Sequence, residues 1–163
     1  MGEQADPSLA AVVEERVAAA ADRVLRDCVV LGAPVPEFAV RTGRAPVEQF
    51  DGRYDHLTEM LLVQLDPAGV HVHVSVPPDR SSVTVRAPAG RSVEDLCAEF
   101  AEVVQQLLVE GQLRGAAWPP CPAHGGRHPL WVDRSVEDAV WACSKGPGFS
   151  ATVGSLAVET VER

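Results

Sequence analysis

The chain contains no isoleucine, no asparagine and a single lysine, Lys145, so every other cation is an arginine. Avoidance of AT-rich codons explains this usage, points to a high-GC bacterial genome and takes functional weight away from the arginine excess. Aromatic residues make up only 5% of the chain, so Val, Leu and Ala must fill most of the interior. No apolar run approaches the roughly 20 residues needed to cross a bilayer. The N-terminus lacks the basic start and apolar centre of a signal peptide. There is no basic run and no interleaving of aromatic with basic residues, and the formal net charge is −9. Such a surface repels a phosphate backbone, which argues against nucleic acid as a partner. These absences predict a cytoplasmic protein without membrane contact. Its four cysteines are then reduced thiols rather than a disulfide framework.

With 163 residues and 46% hydrophobic content, the chain can bury a core as one domain or one domain with a small appendage. Asp6-Pro7 is a helix entrance, with Asp as cap and Pro where its missing N–H costs nothing. Leu9, Val13, Val17, Ala20 and Val24 then recur at helical spacing, and the helix is expected to end near Asp27. Phe38–Arg41 reads as a short strand. Glu59–Leu65 is apolar and fits either helix or strand; the following Asp66-Pro67-Ala68-Gly69 turn favours strand. Val70, Val72, Val74 and Val76 alternate with His71, His73 and Ser75, and Val83 and Val85 alternate with Thr84 and Arg86, so one face is buried and the other wet. Ser92 and Asp95 form a weak capping box before a helix with Val93, Leu96, Cys97, Phe100, Val103, Val104, Leu107 and Leu108 on its broad apolar stripe, stopping at Gly111. Cys28 and Cys97 fall in apolar runs and read as small buried hydrophobes.

The predicted fold class is therefore α+β. Residues 1–114 form an antiparallel meander of about four strands flanked by two amphipathic helices, and 115–163 form a small three-stranded C-terminal module. Gly115–Pro120 is the hinge, anchored by Trp118.

The tail holds the strongest chemical signal. Cys121-Pro122-Ala123-His124 is followed by His128 and then by Trp141-Ala142-Cys143. Thiolate sulfur and neutral imidazole nitrogen are preferred ligands of tetrahedral Zn²⁺, and a two-residue gap is the usual knuckle spacing. Leu130–Val132, Ala139–Cys143 and Ser150–Gly154 read as three strands, with Gly146-Pro147-Gly148 turning between the last two. A knuckle, short strands and a returning Trp-x-Cys resemble a zinc ribbon over about the last quarter of the chain. A full ribbon has a second Cys-x-x-Cys, whereas here Ser144-Lys145-Gly146 follows Cys143 and His128 would take the fourth position. The tail is also similar to that of small actinobacterial proteins carrying Trp-Pro-Pro-Cys-Pro-x-His…His-Pro-Leu…Val-Trp-x-Cys, a degenerate zinc-ribbon-like pattern. The functional expectation is a structural Zn²⁺ on Cys121, His124, His128 and Cys143. The alternative is a metal-free remnant with buried thiols and solvated imidazoles.

Other arrangements compete. His71 and His73 share a strand face and could hold a catalytic metal if a third ligand joined them, with Asp55 and His56 nearest in sequence. Cys121 and His124 could be nucleophile and base, but no third orienting residue is identifiable. Gly125-Gly126-Arg127 lacks the strand-to-helix setting of a phosphate loop. Glu14, Glu15, Glu94, Asp95, Glu99 and Glu102 read as solvated helix faces rather than acid/base pairs. No catalytic residue is assigned. The order helix–strands–helix with an acidic surface is similar to small chaperone-like α+β proteins that bind partner segments, as secretion chaperones do. That likeness implies a non-enzymatic adaptor, expected as a homodimer, whose partner is another protein or a second copy. A small metal-dependent enzyme using His71 and His73, and a metal-free structural protein, are the alternatives.

Overall fold

The computed structural model describes residues 7–42, 69–78, 81–113, 115–134, 137–146 and 148–157. Helix α1 spans Pro7–Val30. Ala10, Val13, Val17, Ala20, Val24 and Cys28 lie on its buried stripe. It runs a turn beyond the expected end at Asp27. The cause is Gly32, whose φ of 64° supplies a left-handed cap. Ala33 N–H then bonds Cys28 O at 2.9 Å and Gly32 N–H bonds Val29 O at 3.2 Å, the paired pattern that satisfies a helix's last carbonyls. The expected cap at Asp6 lies outside the described residues.

Strands β1 (Glu37–Thr42), β2 (Val70–Val76) and β3 (Ser81–Arg86) form an antiparallel sheet in the order β1-β2-β3. Val72 pairs with Val40 and Val85, and Val74 with Phe38 and Val83, so valines stack across one face. Three strands of the meander are thus described; the expected strand at Glu59–Leu65 lies outside the described residues. His71 corrects the expectation of a wet outer face, since it is buried, and His73 is half-buried with its Nδ1 3.4 Å from Thr84 Oγ1.

Helix α2 spans Val93–Leu107. Its capping box is formed: Asp95 N–H donates to Ser92 Oγ at 3.0 Å and Ser92 N–H to Asp95 Oδ2 at 3.3 Å. The helix does not stop at Gly111. It widens into a π turn over Leu108–Gln112, closed by Leu113 N–H on Leu108 O at 2.8 Å. Helices α1 and α2 pack against each other and against β2, and the Phe38 and Phe100 rings meet at 5.3 Å.

The tail forms a second antiparallel sheet from β4 (Trp131–Asp133), β5 (Val140–Ala142) and β6 (Ser150–Thr152), in the order β4-β5-β6. It packs on the helices. Trp141 is fully buried and meets buried Trp118 edge-on at 5.8 Å. Leu130, Val132, Trp141 and Val153 belong to the same continuous core as the helical residues.

Polar contacts fasten the two parts together. Asp27, buried near the end of α1, accepts the Trp141 indole N–H at 2.8 Å, Gly154 N–H at 2.7 Å and Leu156 N–H at 3.0 Å. Glu94 accepts Ala139 N–H at 2.7 Å and pairs with Arg23, whose Nε donates to Val153 O at 2.9 Å. On α2, Gln105 Nε2 donates to Trp118 O and Leu130 O, both at 2.7 Å. Arg134 grips Glu102 through two bonds of 2.8 and 2.7 Å. Glu94 and Glu99 (paired with Arg91) are half-buried ion-pair members, which corrects their reading as solvated acids, whereas Glu102 pairs with Arg134 on an exposed face, as a solvated helix face implies. The Arg23 partner of Glu94 lies 71 positions away, beyond the reach of a local reading.

Candidate metal centre

The four tail residues converge. Among the described residues, Cys121, His124, His128 and Cys143 are the one group of three or more Cys, His or carboxylate side chains placed to hold an ion, and their ligand atoms all lie within 4.8 Å of one another. Two segments deliver them. The first is the knuckle at 121–128, closed at its base by Cys121 N–H on His128 O at 3.0 Å and by Leu130 N–H on Pro119 O at 2.7 Å. Pro122 starts a 3-10 turn over Pro122–His124, ended by Gly125 in the left-handed region at φ 59°. His124 N–H and Gly126 N–H both donate to Cys121 O, at 3.3 and 2.9 Å, which folds the knuckle over its own sulfur. The second segment is the turn after β5. There Cys143 N–H bonds Phe149 O at 2.9 Å, and Lys145 N–H points at Cys143 Sγ at 3.3 Å.

The separations test the fit. Metal–sulfur bonds of about 2.3 Å and metal–nitrogen bonds of about 2.0–2.1 Å at tetrahedral angles place S and N about 3.5–3.6 Å apart and N and N about 3.3 Å apart. His124 Nδ1 lies 3.4 Å from Cys121 Sγ and 3.5 Å from Cys143 Sγ. His128 Nε2 lies 3.7 Å from Cys143 Sγ and 3.1 Å from His124 Nδ1. These four separations fit ligand atoms around one small cation, and the whole set of four lies within 4.8 Å. The outer contacts agree. His128 Nδ1 lies 2.8 Å from Pro129 O, so its proton is fixed there and the Nε2 lone pair faces the centre. The Lys145 N–H is a charge-stabilising partner for a thiolate at Cys143.

Burial pushes the Cys121 thiol above its ordinary value, and the neighbouring Cys143 adds to the rise. A thiol held protonated is a poor nucleophile, which weighs against a Cys121–His124 catalytic pair. Cys28 and Cys97 are buried and their thiols are pushed up to about 12, chiefly by burial, as the sequence pattern predicts for inert core thiols. No disulfide links any of the four cysteines.

The histidine pair on β2 gains no third ligand among the described residues. Among the described residues, His71 and His73 join no cluster able to hold a metal, and Asp55 and His56 lie outside the described residues. Sequence reasoning missed Asp27 as the residue that seats the tail. The signal was present: Asp27 lies three residues after Val24 and seven after Ala20, inside the apolar stripe. A carboxylate there implies buried donors aimed at it.

No helix among the described residues is long and apolar enough to cross a membrane. No protein-family model, curated protein or solved structure matches the chain.

Proposed function

We propose that this chain is a non-enzymatic, chaperone-like adaptor whose C-terminal sheet is held in shape by a structural Zn²⁺ on Cys121, His124, His128 and Cys143. The observation that carries the metal reading is the meeting of two sulfur and two nitrogen atoms within 4.8 Å, with four of their separations at 3.1–3.7 Å. The ligand set favours zinc, because mixed thiolate and imidazole at four positions suits a d¹⁰ ion with no preference for other geometries. Four protein ligands close the coordination shell. A catalytic zinc keeps one position for water or substrate, so a closed set supports a structural role. The adaptor reading rests on the net charge of −9 and on apolar surface at Trp131, which is 46% exposed. The partner is another protein or a second copy; light scattering of the purified chain distinguishes a dimer from a monomer.

Elemental analysis of the full chain should give one zinc per chain. Co²⁺ in its place should show the visible bands of a tetrahedral thiolate site. Cys143→Ser should lower metal affinity and leave the helical signal intact. A purified chain with no zinc, whose Trp fluorescence and near-UV circular dichroism ignore added zinc and EDTA alike, overturns the reading.

A further inference from the structure

A groove of about 330 Å³ runs between α2 with its π turn and the start of β4. Its floor and walls include Val109, Pro129, Leu130 and the half-exposed Trp131. Glu102 and Glu110 stand at its rim. A second, separate depression of about 140 Å³ flanks the first turns of α2 and is lined by Asp95, Glu137 and Asp138. Arg134 is the one cation lining either depression, and it is already bound bidentately to Glu102. The apolar groove thus carries carboxylates on its lining and has an acidic depression on the same helix.

We propose that this groove docks a short segment of a partner protein that combines apolar side chains with arginine or lysine. The proposal rests on the adaptor reading above and names its partner class. Apolar side chains would cover Trp131 and Val109, removing them from water. A guanidinium or ammonium beside them would stack on the exposed indole face and meet the Glu110 carboxylate. Charge complementarity decides among occupants. A second copy also carries −9 and would bring acid against acid, and a phosphate backbone would be repelled. The metal centre bears on the same surface. Pro129 follows the ligand His128, and Ser144, which also lines the groove, follows the ligand Cys143. One wall of the groove therefore hangs directly on the two ligand segments. Gln105 joins that wall to α2 through Leu130 O.

The test uses the zinc-loaded full chain and three labelled peptides of equal length, built from Arg and Leu, Arg and Ser, or Glu and Leu. Fluorescence anisotropy should show the Arg/Leu peptide binding about tenfold or more tighter than either control, as expected when an aromatic anchor and charge both contribute. Trp131→Ala should weaken the Arg/Leu peptide about tenfold or more. Glu110→Gln should weaken it severalfold and flatten its salt dependence. Zinc content and circular dichroism equal to wild type show that both variants are folded. Equal binding of the Arg/Leu and Arg/Ser peptides overturns the groove in favour of unspecific charge attraction. Tight Arg/Leu binding that survives Trp131→Ala also overturns it, and leaves the adaptor reading standing. Binding of none of the peptides overturns the groove, and the zinc content of the same sample reports separately on the metal reading.

Discussion

Replacing Asp27 by Ala removes the acceptor that three buried donors share. In the folded chain its two oxygens take the Trp141 indole N–H at 2.8 Å, Gly154 N–H at 2.7 Å and Leu156 N–H at 3.0 Å. Hydrogen bonds to a charged group contribute about 1.5–3 kcal/mol each, so the gross loss is about 4.5–9 kcal/mol. Relief of the buried carboxylate's desolvation returns several kcal/mol. Removing one side of a buried charged network has a typical net cost of about 3–5 kcal/mol, which is the magnitude expected here. Against a total stability of about 5–15 kcal/mol, this is enough to loosen the tail at ordinary temperature. Urea titration followed by Trp fluorescence and by far-ultraviolet circular dichroism measures it. Fluorescence should change at lower urea than the helical signal, because Trp118 and Trp141 lie at the seam between tail and helices. Asp27→Asn keeps one acceptor oxygen and should cost less, about 1–3 kcal/mol. An Asp27→Ala chain that loses under about 1 kcal/mol would refute the assignment of Asp27 as the tail's fastening.

Chelation of the metal should unfold the 121–128 knuckle and loosen β4–β6 while leaving α1 and α2 helical, since structural zinc sites supply about 10 kcal/mol or more of folding free energy; near-ultraviolet and far-ultraviolet circular dichroism before and after EDTA separate the two. Gly154→Ala should destabilise the chain by about 2 kcal/mol or more, because its φ is +93° and an added Cβ would meet Arg23 Cβ at 2.9 Å and Arg23 Cα at 3.0 Å; thermal unfolding measures the loss. Acid should weaken the same seam through Glu94. Burial opposes ionisation there, but hydrogen bonds from Arg23 and Ala139 N–H prevail and hold its carboxyl below the usual value. A depressed carboxyl contributes stability that is present above its unfolded value of about 4.3 and lost as pH falls through the lower folded value. Acid unfolding of wild type should therefore be steeper below about pH 4.3 than that of Glu94→Gln, and parallel curves would contradict the linkage.

Much of the fold was legible in the sequence because its signals were local. The stripes of α1 and α2 follow from residue spacing, the Ser92–Asp95 cap from two residues three apart, and the burial of Val70, Val72, Val74 and Val76 from strict alternation. The four candidate metal ligands were legible from ligand type, knuckle spacing and the ribbon-like return of Cys143, and the structure brings them together. The details of their support were not legible, because they depend on backbone contacts such as Cys143 N–H on Phe149 O. Two local misreadings have the same origin. The helical spacing predicts an end near Asp27 and gives no hint of its three donors, which come from residues more than 100 positions away. Alternation predicts a wet face for His71, but it reports only which side a residue takes and not whether that side is covered.

Among the contacts that hold the tail, those of Asp27 and those within the Cys/His cluster act at different places on its small sheet. Asp27 binds the middle of β5 through Trp141 and the chain just after β6 through Gly154 and Leu156. The candidate metal ligands gather the knuckle before β4 and the turn after β5. Strands of three residues offer too few ladder bonds and too little buried face to persist alone. The sheet therefore depends on the core it shares with the helices and on the polar contacts that seat it there. The groove at Trp131 has one wall on α2 and the other on the segments that carry His128 and Cys143, so its shape depends on how those segments are held. If the four residues bind a metal and the groove binds a partner segment, as proposed, removing the metal should weaken that binding together with the order of the knuckle.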